Sequence, residues 1–130
     1  MISTPTEQTA KPIVDGINRL AALMRLPADW DSYGGIAPSN VSVVETLALL
    51  LDLWSEGVIS ADLLFDIVPV PTGVAQVEWS GPRGDIEIEI DRFGTMRSLL
   101  APVSGPLVET PADHALTLAE VRNQVRRIVA

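Results

Sequence analysis

The chain has 130 residues, 47% of them hydrophobic, 20% charged and 5% aromatic, and nine basic against seventeen acidic residues give a formal net charge of −8. That is one domain's worth of chain, too rich in apolar residues for a disordered acidic tail and too acidic for a nucleic-acid binder that works by displacing counterions. The absence of cysteine removes disulfides, thiolate metal sites and thiol nucleophiles, and a lone histidine, His114, makes histidine-based metal sites and Ser-His-Asp triads hard to assemble.

Residues 1–12 carry Pro5 and Pro12 among Thr, Ser and Gln, and read as a flexible arm without the basic and apolar regions of a signal peptide. From Ile13 the spacing turns helical, with Ile13, Ile17, Leu20 and Met24 forming a stripe that Val14 and Ala21 widen. Gly16 weakens this helix by about 1 kcal/mol relative to Ala, and Pro27 ends it. The loop Asp29-Trp30-Asp31-Ser32-Tyr33-Gly34-Gly35 follows and runs into Pro38-Ser39. Ser39 is an N-cap for a second helix over roughly Asn40 to Glu56, with Ser42-x-x-Glu45 as a second start signal and Gly57 as the residue after its end. Val44, Leu47, Leu51 and Trp54 line one stripe of this helix. Its apolar residues reach more than one side, so it is expected to be central. The longest apolar run, Leu47 to Leu51, is far short of the ~20 residues of a membrane span, and a cytoplasmic address is expected.

Beyond this helix the period becomes two. Phe65 to Val70 is a strand that Pro69 confines to an edge or an end. Val74 to Ser80 and Asp85 to Asp91 alternate as strands on either side of Gly81-Pro82-Arg83-Gly84. Placing Ser80 opposite Asp85 sets Trp79 against Ile86, Val77 against Ile88 and Ala75 against Ile90, so every apolar residue falls on one face. A turn over Asp91 to Thr95, with Gly94 left-handed, then pairs Ile90 with Met96 and Glu89 with Arg97. Pro102 to Pro111 reads as an irregular crossing. A last helix starts at Thr117, whose Thr-x-x-Glu120 spacing is a capping box, and buries Leu118, Val121, Val125 and Ile128, leaving Arg122, Arg126 and Arg127 outside. His114 reads as a surface residue beside that cap.

The fold class is therefore α+β: two N-terminal helices and one C-terminal helix packed on one face of a three- or four-stranded antiparallel meander, as a single domain over residues 13–130.

Two places could carry function. The polar face of the meander presents Asp85, Glu87, Glu89 and Asp91 about 6.8 Å apart along one strand, with Glu78 opposite Glu87. From Asp29 to Asp91 there are twelve acidic residues and one basic, Arg83. The face reads either as a solvated surface that guards against edge pairing or as an acidic patch that steers and docks a basic partner. The carboxylate spacing also approximates that of successive phosphates, as in a nucleic-acid mimic. Parallel strand carboxylates do not converge on a metal, and no metal or cofactor is expected. The second place is the Asp29–Gly35 loop. There Trp30 either plugs the gap between helices while Asp31 or Ser32 caps the turn, or Trp30, Asp31 and Tyr33 form a partner hot spot.

Leu26-Pro27, the Trp30-Asp31-Ser32-Tyr33-Gly34-Gly35 loop, Pro38-Ser39, Val68-Pro69, Pro71-Thr72-Gly73, Val77-Glu78-Trp79 and the Ile86–Ile90 strand together resemble a group of small uncharacterised bacterial and phage proteins. Their hallmark is a Trp-Asp-Ser-Tyr-Gly-Ala loop, a helix, and a Val-Pro-Thr-Pro…Gly…Glu-Trp strand pair. The resemblance covers residues 26–100 and carries no activity with it. Gly35 stands where that group has Ala, and Thr72-Gly73-Val74 shortens its Pro-Asp-Gly-Gly turn.

The expected function is non-enzymatic binding of a protein with a basic surface, for example a nucleic-acid-binding protein, with no direct nucleic-acid or membrane contact. In size and charge the chain is similar to antitoxins, phage inhibitors of host defence and secretion chaperones, and an antitoxin, immunity or defence-inhibitor role is the form expected. The alternatives are a small-ligand or metal-dependent enzyme using the Asp29–Gly35 loop, and a structural homodimer joined around Phe93 and Leu99.

Overall fold

The computed structural model describes residues 7–59 and 64–129; residues 1–6 of the expected arm lie outside that range. Three helices, α1 (Glu7–Met24), α2 (Asn40–Ser55) and α3 (Leu118–Val129), accompany five strands: β1 (Leu64–Val70), β2 (Val74–Gly81), β3 (Gly84–Ile90), β4 (Met96–Pro102) and β5 (Val108–Glu109). The strands pair antiparallel in chain order, β1-β2-β3-β4-β5. The sheet is thus one strand larger than the three or four expected. The addition, β5, falls in the segment read as an irregular crossing, where two residues are too few to show a period.

Alternation sets the registers. Ala75, Val77 and Trp79 face Ile90, Ile88 and Ile86, and Ile90 and Glu89 face Met96 and Arg97, as the period-two pattern requires. Ile67, Val77, Trp79, Ile86, Ile88, Ile90 and Leu100 join Leu20 and Leu23 of α1, Leu49, Leu50 and Leu53 of α2, and Val121, Val125 and Ile128 of α3 in one core. The Phe65 and Trp79 rings, paired across β1 and β2, lie 6.1 Å apart at 40°. α2 sits between the other helices and touches both.

Helix α1 begins at Glu7, inside the segment read as an arm, and carries Pro12 within it. Its buried stripe is Ile13, Gly16, Leu20 and Leu23, whereas Ile17 and Met24 are exposed. Gly16 is a packing device: a Cβ there would lie 3.0 Å from Leu50 Cδ1 and 3.3 Å from Phe65 Cε2. On α2 the buried stripe is Ser42, Val43, Thr46, Leu49, Leu50 and Leu53; Val44 and Leu51, of the stripe read from the spacing, are exposed. Ser39 caps this helix, accepting from the Ser42 amide. Ser42 itself is a clip. Its hydroxyl donates to the Ile90 carbonyl at 2.6 Å and accepts from the Ala75 amide at 3.1 Å, joining α2 to the last pair of the β2–β3 ladder.

Arg122, expected on the outer side of α3, reaches α2 instead. Its Nε and Nη2 donate to the two carboxylate oxygens of Asp52 at 2.9 and 3.1 Å, with both side chains about four-fifths covered. The capping box of α3 forms as the spacing requires: Thr117 N donates to Glu120 Oε1 and Glu120 N to Thr117 Oγ1. The Thr117 amide, and behind it His114 at 3.6 Å, hold the Glu120 carboxyl below the usual range.

Candidate protein-docking surface

The outer face of the sheet carries the residues that alternate with the core. Glu78 of β2 faces Asp66 of β1 on one side and Glu87 of β3 on the other. Three carboxylates therefore stand in one row across three adjacent strands, each with its Cβ about 5 Å from the next. Asp85 and Glu89 flank Glu87 along β3, and Glu109 of β5 extends the same row past Leu99. All are exposed except Glu78, which is half-buried.

Neighbouring cations offset little of this charge. Arg97 faces Glu89, but its Nη2 donates to the Ala112 carbonyl at 2.8 Å, and it makes no ion pair among the described residues. Arg19 approaches Asp66 at 4.0 Å while its Nε donates to the Ile67 carbonyl at 2.8 Å. The Asp66 carboxylate in turn accepts the Ile67 amide. These two contacts cap the backbone of Ile67 on the free edge of β1, and Pro69, two residues on, has no amide to leave open there. Gln76 donates to Glu78 at 2.9 Å. No hydrogen bond or ion pair reaches the carboxylates of Asp85, Glu87, Glu89 or Glu109 among the described residues.

Asp91, expected in this file of acids, is placed elsewhere. β3 ends at Ile90, and the Asp91 carboxylate accepts the Phe93 and Thr95 amides, both at 2.9 Å, bracing the β3–β4 turn around left-handed Gly94. Asp66 and Glu109 were not among the expected site residues. Asp66 sits at an alternating position of the Phe65–Val70 strand and is legible from its period; Glu109 lies in β5, whose two residues show none.

The Asp29–Gly35 loop is a tightly braced turn. Asp31 Oδ1 accepts the Tyr33 amide at 2.9 Å and the Gly35 amide at 2.7 Å, and Asp29 Oδ1 accepts the Gly34 amide. The Tyr33 amide, followed by that of Gly35, holds the Asp31 carboxyl below its ordinary range. Asp29 and Ser32 both adopt positive φ, 60° and 64°, which this bracing sustains. Gly35 is buried, and a Cβ on it would lie 2.6 Å from Asp31 Oδ1. Trp30 is half-buried, its indole nitrogen covered and without a partner. Tyr33 is 92% exposed.

This loop is fixed to one end of the sheet. Ile36 N donates to the Pro71 carbonyl in the β1–β2 turn, Ser39 N to that of Gly73, and Ser39 Oγ to that of Arg92 in the β3–β4 turn. A Cβ on Gly94 would lie 3.2 Å from Val41 Cγ1, so α2 begins beside Phe93. Tyr33, Ile36, Val41 and Phe93 are all exposed at this end, and Glu89 is the β3 carboxylate nearest to it. Sequence reasoning missed Ile36 and Val41, since only the tertiary fold brings their segments alongside the turns.

Among the described residues no group of three histidine, aspartate or glutamate side chains is arranged to hold a metal, and no helix is long and apolar enough to cross a membrane. Set against protein-family models, curated proteins and solved structures, the chain finds no match.

Proposed function

We propose that the chain is a non-enzymatic protein-binding module that docks the basic surface of a partner protein on the outer face of its sheet. The observation that carries this reading is the Asp66–Glu78–Glu87 row. Like charges placed directly opposite on a sheet destabilise the fold. A solvated surface needs only scattered charges of both signs, whereas aligned carboxylates supply the field that steers a cationic partner and the acceptors that hold its arginines. Tyr33 and Phe93, exposed at the Glu89 end, supply the aromatic anchors on which interface affinity concentrates. The biological form we favour is an antitoxin, an immunity protein or a phage inhibitor of a defence system acting in the cytoplasm. A basic partner that itself binds nucleic acid fits the carboxylate spacing.

The test is retention of lysate proteins at low salt on the wild-type chain and on the Glu78→Gln/Glu87→Gln double variant, followed by elution with rising salt. Wild type is expected to hold a basic protein that moderate salt releases, and the variant to lose it. Equal retention by both overturns the proposal.

A homodimer is the second reading, favoured by the apolar residues Val41, Val44 and Leu51 exposed along the outer side of α2. Light scattering that gives twice the chain mass across a range of concentrations supports it.

A further inference from the structure

At the opposite end of the sheet from Tyr33 and Phe93, a cleft of about 460 Å³ opens between the β2–β3 turn, the end of β4 and the last turn of α3. Arg83, Arg126 and Arg127 line it, and among the described residues no carboxylate does. Three of the eight arginines of a chain with net charge −8 thus line one space. Arg126 and Arg127 suit the negative end of a helix dipole. That account does not reach Arg83, which comes from the β2–β3 turn and faces the same cleft.

The three differ in what they already bind. Arg126 lies 3.7 Å from Glu56, whereas Arg83 and Arg127 are exposed and form no ion pair among the described residues. The backbone that presents Arg83 is held rigidly. Its amide donates to the Ile128 carbonyl and its carbonyl accepts the Val103 amide, each at 2.9 Å. The neighbouring Gly81 packs so closely that a Cβ would fall 2.4 Å from the Ile128 oxygen. A site whose frame is already ordered loses less affinity to ordering on binding. Pro82, Pro102 and Val103 add apolar wall to the cleft that these arginines line.

We propose that this cleft binds a phosphate monoester of nucleotide size, with the phosphate between Arg83 and Arg127 and the body of the ligand against Pro82, Pro102 and Val103. Guanidinium forks match phosphate oxygens in pairs. The volume falls within the range of small-molecule sites, about 300–1,000 Å³, and exceeds what a bare phosphate fills. The site is independent of the acidic face, which lies on other residues.

The test is titration calorimetry of the full chain at low salt with adenosine 5′-monophosphate, glucose 6-phosphate, inorganic phosphate and adenosine. Saturable binding of one or both esters is expected, with adenosine silent, and the stronger ester tells a nucleotide from a sugar phosphate. Arg83→Ala and Arg127→Ala are each expected to weaken that binding about tenfold or more, the loss of one charge-assisted contact, while Arg25→Ala, at the far end of α1, leaves it unchanged. Thermal unfolding of each variant at the parental temperature ties the loss to the cleft, and Arg83→Lys, keeping charge without the fork, is expected to recover part of it. Three results overturn the proposal: no saturable binding of either ester at millimolar concentration, binding that survives both alanine variants, and inorganic phosphate binding as tightly as the esters.

Discussion

Glu78 and Glu87 face each other across the β2–β3 ladder, and Asp66 faces Glu78 from the other side. The central carboxylate of the row is thus flanked by like charge on both neighbouring strands, with only Gln76 donating to it among the described residues. Opposed like charges on a sheet cost several tenths of a kcal/mol, so this arrangement works against the stability of the isolated chain. Glu87→Lys is expected to raise stability by about 0.5 kcal/mol in urea denaturation while weakening partner binding. A loss of stability would show that the row is not a site of unfavourable charge.

Ser42 offers a sharper stability test. Its hydroxyl joins the Ala75 amide to the Ile90 carbonyl in the buried interior. Ser42→Ala leaves both groups without that partner and is expected to cost about 2 kcal/mol. A change below about 0.5 kcal/mol in chemical denaturation would mean that the ladder closes without the clip.

Gly81 is required by contact, since its φ lies outside the left-handed region. With the Ile128 carbonyl 2.4 Å from where a Cβ would stand, Gly81→Ala must push the end of α3 away from the β2–β3 turn. The expected loss is about 2–3 kcal/mol, as for overpacked interiors, with faster amide exchange at Arg83, whose hydrogen bond to Ile128 would open.

The loop around Asp31 sets a pH dependence. The Tyr33 and Gly35 amides favour the ionised carboxylate and so lower its folded-state pKa. A depressed folded value contributes stability that is present above the unfolded value of about 3.9 and is lost as pH falls through the folded one. The Tyr33 and Gly35 amide resonances should therefore hold steady from neutrality to about pH 4 and move only below it. Movement centred near pH 5 would contradict the bracing.

Much of the sheet was legible because a strand has two faces and a period of two. Once Trp79 is set against Ile86, every apolar residue from Ala75 to Ile90 has one possible side, and the glycines at 73, 81, 84 and 94 mark where the chain turns. The capping box at Thr117 was legible for a similar reason, since donor and acceptor lie three residues apart. The stripe of α2 was not. Val44, Leu47, Leu51 and Trp54 form as regular an apolar line as the residues that are buried, and a helix that is apolar on two sides does not say which one turns inward.

The sequence by itself thus determined the alternation of β2 and β3, their register and the acidity of their outer face, because neighbouring residues alone set these. Only the tertiary structure decided that Ser42 and Gly16 face inward, that Asp66 completes a row with Glu78 and Glu87, that the Asp52 carboxylate takes Arg122, and that Arg83 and Arg127 line one cleft. Each of these depends on which distant segments pack together, and that choice is made by the burial of the whole apolar set at once.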